Sequence, residues 1–300
     1  MDGLPERVAE DGRFPFGILN GPRPVRPAAS GVARQIVIGT YPSALHIGWS
    51  PPAYVSVPPQ SKGRVASLAV SVEPVAFWDG HDANRLVEEW MAAVGFVMGD
   101  EPGGHGQLSA ATNGPSGAGL ADRYFPALPF AIEDTAFLDV YPVYFVKKGT
   151  TARRGQAEAI EQEYNSIVAE LSGAQGSRPR FVDSQLPLRP TTSQLPHMAA
   201  ERFAHWLVSV VMELEPQHVV TLGEEVWATL DLAGLIKRPC APSLSATRQG
   251  GYGRPGELQI AGSVIEWTAL AHPGAVRQST QTPVSWGAVH SDWLNANRRL

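Results

Sequence analysis

Apolar residues collect in short runs that stop at glycine or proline. "QIVI" at 35–38 ends at Gly39, "TAFLDVYPVYFV" at 135–146 is interrupted by Pro142, "HVVTL" at 218–222 ends at Gly223, and "SVIEWTAL" at 263–270 leads into His272-Pro273. Runs of this length, bounded by turn residues, predict strands buried on both faces. A further strand region is predicted over Arg64–Val75, which contains "VASLAVSV". Stripes at helical spacing predict helices over Asp82–Val94 (with Leu86, Val87, Trp90 and Met91 on one side), Gln156–Leu171, Leu195–Leu214, Glu224–Leu232 and Val284–Asn295. The Pro- and Gly-rich start, 1–30, reads as an extended arm, and 31–300 as one domain with loop insertions around 99–122 and 237–256. The segment after Tyr41-Pro42 also reads as a loop.

Buried strands alternating with helices imply an α/β fold of three layers, a mainly parallel sheet covered on both sides. Ligands of such sheets bind beyond the carboxyl ends of the strands. Gly39-Thr40-Tyr41-Pro42, Asp139, Gly223 and His272-Pro273-Gly274 all stand at those ends.

Composition narrows the chemistry. One cysteine, Cys240, excludes an internal disulfide and a cysteine-held cluster within one chain. The eight histidines are scattered, with no HExxH pair, so no metal site is predicted, and no cofactor either. The glycines of 99–122 lack the spacing of a phosphate-binding loop. No apolar run is long enough to span a bilayer, and the start lacks a signal-peptide core, so the expectation is a soluble, cytoplasmic, monomeric protein. A net charge of -5 argues against indiscriminate polyanion binding but leaves room for a local basic patch. Lys147, Lys148, Arg153 and Arg154 form one, which reads equally as a solvated loop.

"GTYP" at 39–42 and "HPG" at 272–274, with "FLDVYP" and "VVTLGEEVW" between them in order, resemble the motifs of the uracil-DNA glycosylase superfamily. The likeness runs over roughly residues 31–297 and implies a central four-stranded sheet, a flipped nucleotide, and hydrolysis of its N-glycosidic bond without metal or cofactor. It gives His272 the role of a neutral donor to the departing pyrimidine oxygen, set against the plainer reading that His272 caps a turn. It makes Tyr41, Pro42 and Ser43 the first wall of the base pocket, and Asp139 the reader of the base edge. The loop after His272, with Arg277 and Gln278, would fill the gap left by the flipped base or touch phosphate; Arg277 reads equally as a surface arginine. Lys147 and Lys148 are further DNA-contact candidates.

Four departures from the family pattern bear on the expected chemistry. Tyr41 stands where the best-known branch has a water-orienting aspartate, and a phenol of ordinary pKa about 10 is a poor base at neutral pH. Asp79, in "FWDGHD", is the substitute candidate, with helix capping as its other reading. Ser43 stands where a tyrosine would block position 5 of the pyrimidine, so the pocket is open there. Asp139 replaces an asparagine, and a carboxylate accepts from the exocyclic amine of cytosine but repels a uracil carbonyl. A protonated Asp139 would instead donate as an amide does. Val70 replaces the family's stacking phenylalanine, leaving stacking to Tyr41, Phe77 or Trp78. The favoured expectation is excision of a bulky 5-substituted cytosine, such as the glucosylated hydroxymethylcytosine of phage DNA, in a defence role. The alternatives are uracil-type repair or a non-catalytic reader of modified DNA.

Overall fold

The computed structural model describes residues 25–41, 44–50, 66–72, 85, 107–112, 116–141, 189–278 and 284–299, with the backbone course alone for 44–50, 66–72, 107–112, 116–118 and 278. Ten strands are formed among them: β1 (Val25–Arg26), β2 (Gln35–Gly39), β3 (Ala44–Ser50), β4 (Ala66–Val72), β5 (Gln107–Thr112), β6 (Thr135–Asp139), β7 (His218–Leu222), β8 (Ile236–Arg238), β9 (Pro255–Ile260) and β10 (Ser263–Leu270). The main sheet is mixed and seven-stranded, in the order β1-β6-β2-β7-β10-β9-β8. Its middle, β6-β2-β7-β10, is joined by three parallel pairings, with Gly39 opposite Asp139 and Leu222 opposite Leu270 at the carboxyl edge.

Alternation along these strands feeds two cores. Ile36, Ile38, Ala136, Leu138, Val219 and Trp267 face one side, where they pack against α2 (Gln194–Leu214) and α3 (Glu224–Leu232). In α2 the buried positions Leu195, Ala199, Phe203, Leu207 and Val211 recur every fourth residue, the stripe that a helix lays on a sheet. Val37, Phe137, Val220, Leu222 and Leu270 face the other side, with Tyr124, Val276 and Trp293. Those three come from or beside α1 (Ser116–Arg123), α4 (Pro273–Gln278) and α5 (Trp286–Asn297), so helices cover both faces and three layers result.

A buried polar chain crosses the amino ends of the four parallel strands. Gln35 Nε2 donates to Thr135 Oγ1 (3.1 Å), His218 Nδ1 meets Gln35 Oε1 (3.2 Å), and His218 Nε2 meets Thr268 Oγ1 (2.9 Å). Each donor has an acceptor, which is the condition for tolerating such groups in a core, and the pairing penalises a register slip. Burial pushes His218 down to about 4, hence neutral. Glu266 lies 3.8 Å away but is mostly exposed, so water screens it and burial prevails.

Several sequence expectations change. The main sheet has seven strands rather than four, because antiparallel strands extend both flanks of the parallel middle. On one flank, part of the supposed arm is β1, paired antiparallel with β6. On the other, β9 and β10 form a hairpin across Ala261-Gly262, both at positive φ (46° and 92°), as a tight two-residue hairpin turn requires. β8 and β9 overlap the two ends of the segment read as a loop around 237–256. The predicted strand over Arg64–Val75 is β4, and it belongs to a separate antiparallel sheet, β4-β3-β5. β3 and β5 fall where loops were read, after Tyr41 and within 99–122, and α1 also begins inside the latter segment. Glycine, serine and alanine leave β5 and the start of α1 without an apolar period, whereas Leu45, Ile47 and Trp49 of β3 do alternate, a strand signal that the sequence reading passed over. The predicted helices over Leu195–Leu214, Glu224–Leu232 and Val284–Asn295 form as α2, α3 and α5, the last over Trp286–Asn297 with Ser285 Oγ accepting from the Ala288 N–H. Of Asp82–Val94 only Arg85 is described, and it is helical; Gln156–Leu171 lies outside the described residues.

Candidate functional site

β10 ends at Leu270, and the chain turns at once into α4. His272 makes that turn: its carbonyl accepts from Ala275 (2.9 Å) and Val276 (3.2 Å), and Pro273 opens the helix. The exposed imidazole also takes part, because the Gly274 N–H donates to His272 Nδ1 (3.1 Å). An accepting Nδ1 carries a lone pair, so the ring hydrogen of the neutral form is on Nε2. Capping therefore fixes the tautomer, and the two roles expected of His272 are compatible.

The residue before it is clamped on both sides. Tyr124 Oη donates to the Ala271 carbonyl (2.8 Å), and the Ala271 N–H donates to Tyr252 Oη (2.9 Å). Tyr252 Oη in turn lies 2.8 Å from His290 Nδ1, while His290 Nε2 donates to the Arg123 carbonyl (3.0 Å). With Nε2–H committed to a carbonyl, Nδ1 is the acceptor and the tyrosine hydroxyl donates to it. Burial holds His290 down to about 4, and pushes both Tyr124 and Tyr252 above the ordinary phenol value, so the whole chain is uncharged at neutral pH.

Gly223, just after β7, has φ of 101° and stands between His272 and Glu225. A Cβ placed there would lie 3.4 Å from His272 Cβ and 3.6 Å from Glu225 Oε2. Glu225, in the first turn of α3, receives Arg189 NH2 at 2.8 Å on Oε1. The Arg189 guanidinium also lies 5.7 Å from the centre of the Tyr41 ring. Burial raises the Tyr41 phenol above its ordinary value, Arg189 opposes that by charge and hydrogen bonding, and Glu225 adds to it. Tyr41, Arg189, Glu225, Gly223 and His272 thus form one connected group over the ends of β2, β7 and β10.

Asp139 occupies the far side. Its Oδ1 fills the space that a Gly39 side chain would need, and its Oδ2 receives Arg26 NH2 from β1 at 2.9 Å. Burial pushes the Asp139 carboxyl up and Arg26 pulls it down, with burial the larger influence. Among the described residues Arg26 Nε and Arg189 Nε are buried without a hydrogen-bond partner. At the usual strand spacing of about 4.8 Å, β6 and β10 are about 14 Å apart, so Asp139 and His272 face each other across the edge rather than touch.

Of the sequence-predicted site, Tyr41 and His272 are brought to one cluster and Asp139 to its opposite flank. Arg277 is exposed in the last turn of α4, with Gln278 next to it. Pro42, Ser43, Phe77, Trp78, Asp79, Lys147, Lys148, Arg153 and Arg154 lie outside the described residues, and Val70 falls in β4. Sequence reasoning missed Arg26, Arg189, Glu225, Tyr252 and His290. Glu225 was detectable, since it follows the strand-glycine step in "TLGEEVW"; the arginines and Tyr252 sit in Pro- or Gly-rich stretches without a pattern. Among the described residues no three His, Cys, Asp or Glu side chains gather as a metal site would require, and no helix is long and apolar enough to cross a membrane. No family model matches the chain, and no curated protein matches it either.

Proposed function

We propose that this protein is a monofunctional DNA glycosylase that hydrolyses the N-glycosidic bond of a flipped pyrimidine nucleotide. The observation that carries this reading is the hydrogen bond from the Gly274 N–H to His272 Nδ1, which in the neutral ring puts the donor hydrogen on Nε2. A neutral, preoriented donor is what an oxyanion forming on a departing pyrimidine requires. The clamp on Ala271 keeps that donor in place. Exposed Arg277 supplies a positive charge next to the site for a DNA phosphate. The mixed α/β sheet with helices on both faces supports the reading at the level of fold class.

The favoured base is a 5-substituted cytosine, on the strength of Ser43 and of an Asp139 carboxylate that Arg26 pairs with and pulls toward the ionised form. Uracil is the second reading, because burial pushes Asp139 toward the neutral form that donates to a carbonyl. Duplexes carrying glucosylated hydroxymethylcytosine, hydroxymethylcytosine or uracil, assayed for abasic sites with the released base identified by mass spectrometry, decide between them. His272→Ala is expected to slow release about 10²–10³-fold. If the wild-type protein releases no base from any of these duplexes, the glycosylase reading fails, and binding without release would favour a modified-base reader.

A further inference from the structure

Three described carboxylates stand at the carboxyl edge beside this group, and two are committed elsewhere. Asp139 is tied to Arg26, and Glu224 Oε2 accepts from both the N–H and the hydroxyl of Ser245 (2.8 and 2.9 Å). Glu225 is different. Arg189 fixes its Oε1, and its Oε2 lies on the Gly223 side, where a Cβ would stand 3.6 Å from it and 3.4 Å from His272 Cβ. No side chain stands between them at Gly223, so Glu225 Oε2 and His272 are near neighbours at the carboxyl edge. Tyr41, close by, is a phenol raised above its ordinary value and takes no proton from water at neutral pH.

We propose that Glu225 is the catalytic carboxylate that orients and deprotonates the attacking water, with Arg189 as its positioning residue; this rests on the glycosylase reading above. The water oxygen forms a bond to C1′ of the flipped nucleotide while the C1′–N bond breaks. The electron pair of that bond passes to the pyrimidine, whose oxygen accepts a hydrogen bond from His272 Nε2–H. One water proton goes to Glu225 and then to solvent, and the released base takes a proton from solvent. A carboxylate held by Arg189 keeps its orientation between turnovers, which is the advantage of a preorganised site.

The test is single-turnover release from the three duplexes named above by the wild-type protein, Glu225→Gln, Glu225→Ala, Arg189→Met and His272→Ala, with melting midpoints and duplex affinity measured for each. Glu225→Gln is expected to slow release about 10²–10⁴-fold without loss of duplex affinity. Formate is expected to restore part of the rate of Glu225→Ala, a response that a merely structural glutamate would not give. Arg189→Met is expected to slow release less than Glu225→Gln. If His272→Ala is slow while Glu225→Gln keeps the wild-type rate, or if formate leaves Glu225→Ala unchanged, the role of Glu225 is overturned and the glycosylase reading stands. Absence of release by the wild-type protein overturns both.

Discussion

Two buried neutral histidines make this fold sensitive to mild acid. His218 and His290 are almost completely buried, at 2% and 1% exposure, and both are held down to about 4 against an ordinary 6.5. Each is lower in the folded than in the unfolded state, so between about pH 6.5 and pH 4 the unfolded chain binds more protons. Their contribution to stability is therefore complete above pH 6.5 and is lost as pH falls toward 4. A depression of this size corresponds to about 3 kcal/mol for each histidine. Within the window each adds a slope of about 1.4 kcal/mol per pH unit. Asp139, whose carboxyl burial raises, contributes with the opposite sign, so the slope is best read as a difference between proteins sharing it. Urea unfolding of the wild-type protein and of His290→Gln, measured between pH 7 and pH 5, makes that comparison. Glutamine keeps an N–H for the Arg123 carbonyl and binds no proton. Its stability at pH 7 is expected to be lower and its slope smaller by about 1.4 kcal/mol per pH unit. Equal slopes in the two proteins would refute the argument, since His290 would then titrate alike folded and unfolded.

Other outcomes follow from single contacts. Tyr252→Phe removes one hydroxyl and leaves both the Ala271 N–H and His290 Nδ1 unmatched, a loss of about 2–4 kcal/mol in urea unfolding; a loss below about 0.5 kcal/mol would mean that the clamp is not formed. The same variant should weaken the Gly274–His272 bond, visible as a mixed His272 tautomer in nitrogen-15 NMR, with or without catalytic activity. Arg26→Met leaves Asp139 buried and unpaired and should destabilise by about 3–5 kcal/mol at pH 7, an effect that shrinks when Asp139→Asn is added. Gly39→Ala forces a methyl group into the Asp139 carboxylate across a fixed strand register and should cost about 1–3 kcal/mol, as differential scanning calorimetry would register.

The parallel middle of the sheet was legible because its strands are buried on both faces and therefore read as unbroken apolar runs, as in "QIVI" and "HVVTL". α3 was legible to the residue, since Gly223 at positive φ and the two glutamates after it mark a helix start. The outer strands were not. β1 is two residues long and β8 three, too short for a period, and in β9 one of the three alternate buried positions is Gly256, which leaves only Leu258 and Ile260 to mark a period. Individual side chains at the site followed the same division. His272 was found through the proline turn after its strand, whereas Arg26, Arg189 and His290 bear no local mark.

From its sequence alone, this chain determines an α/β class, the succession of its central strands along the chain, and the identity of the groups at their carboxyl ends, because those depend on local period and on turn residues. Partnership is a tertiary matter. Arg26 meets Asp139 across 113 positions and Tyr124 meets Ala271 across 147, distances over which no sequence period reaches. The tautomer of His272, the direction of Glu225 Oε2 and the neutrality of His218 and His290 are set by what folding places beside them and by the water it removes, so only the tertiary structure decides them.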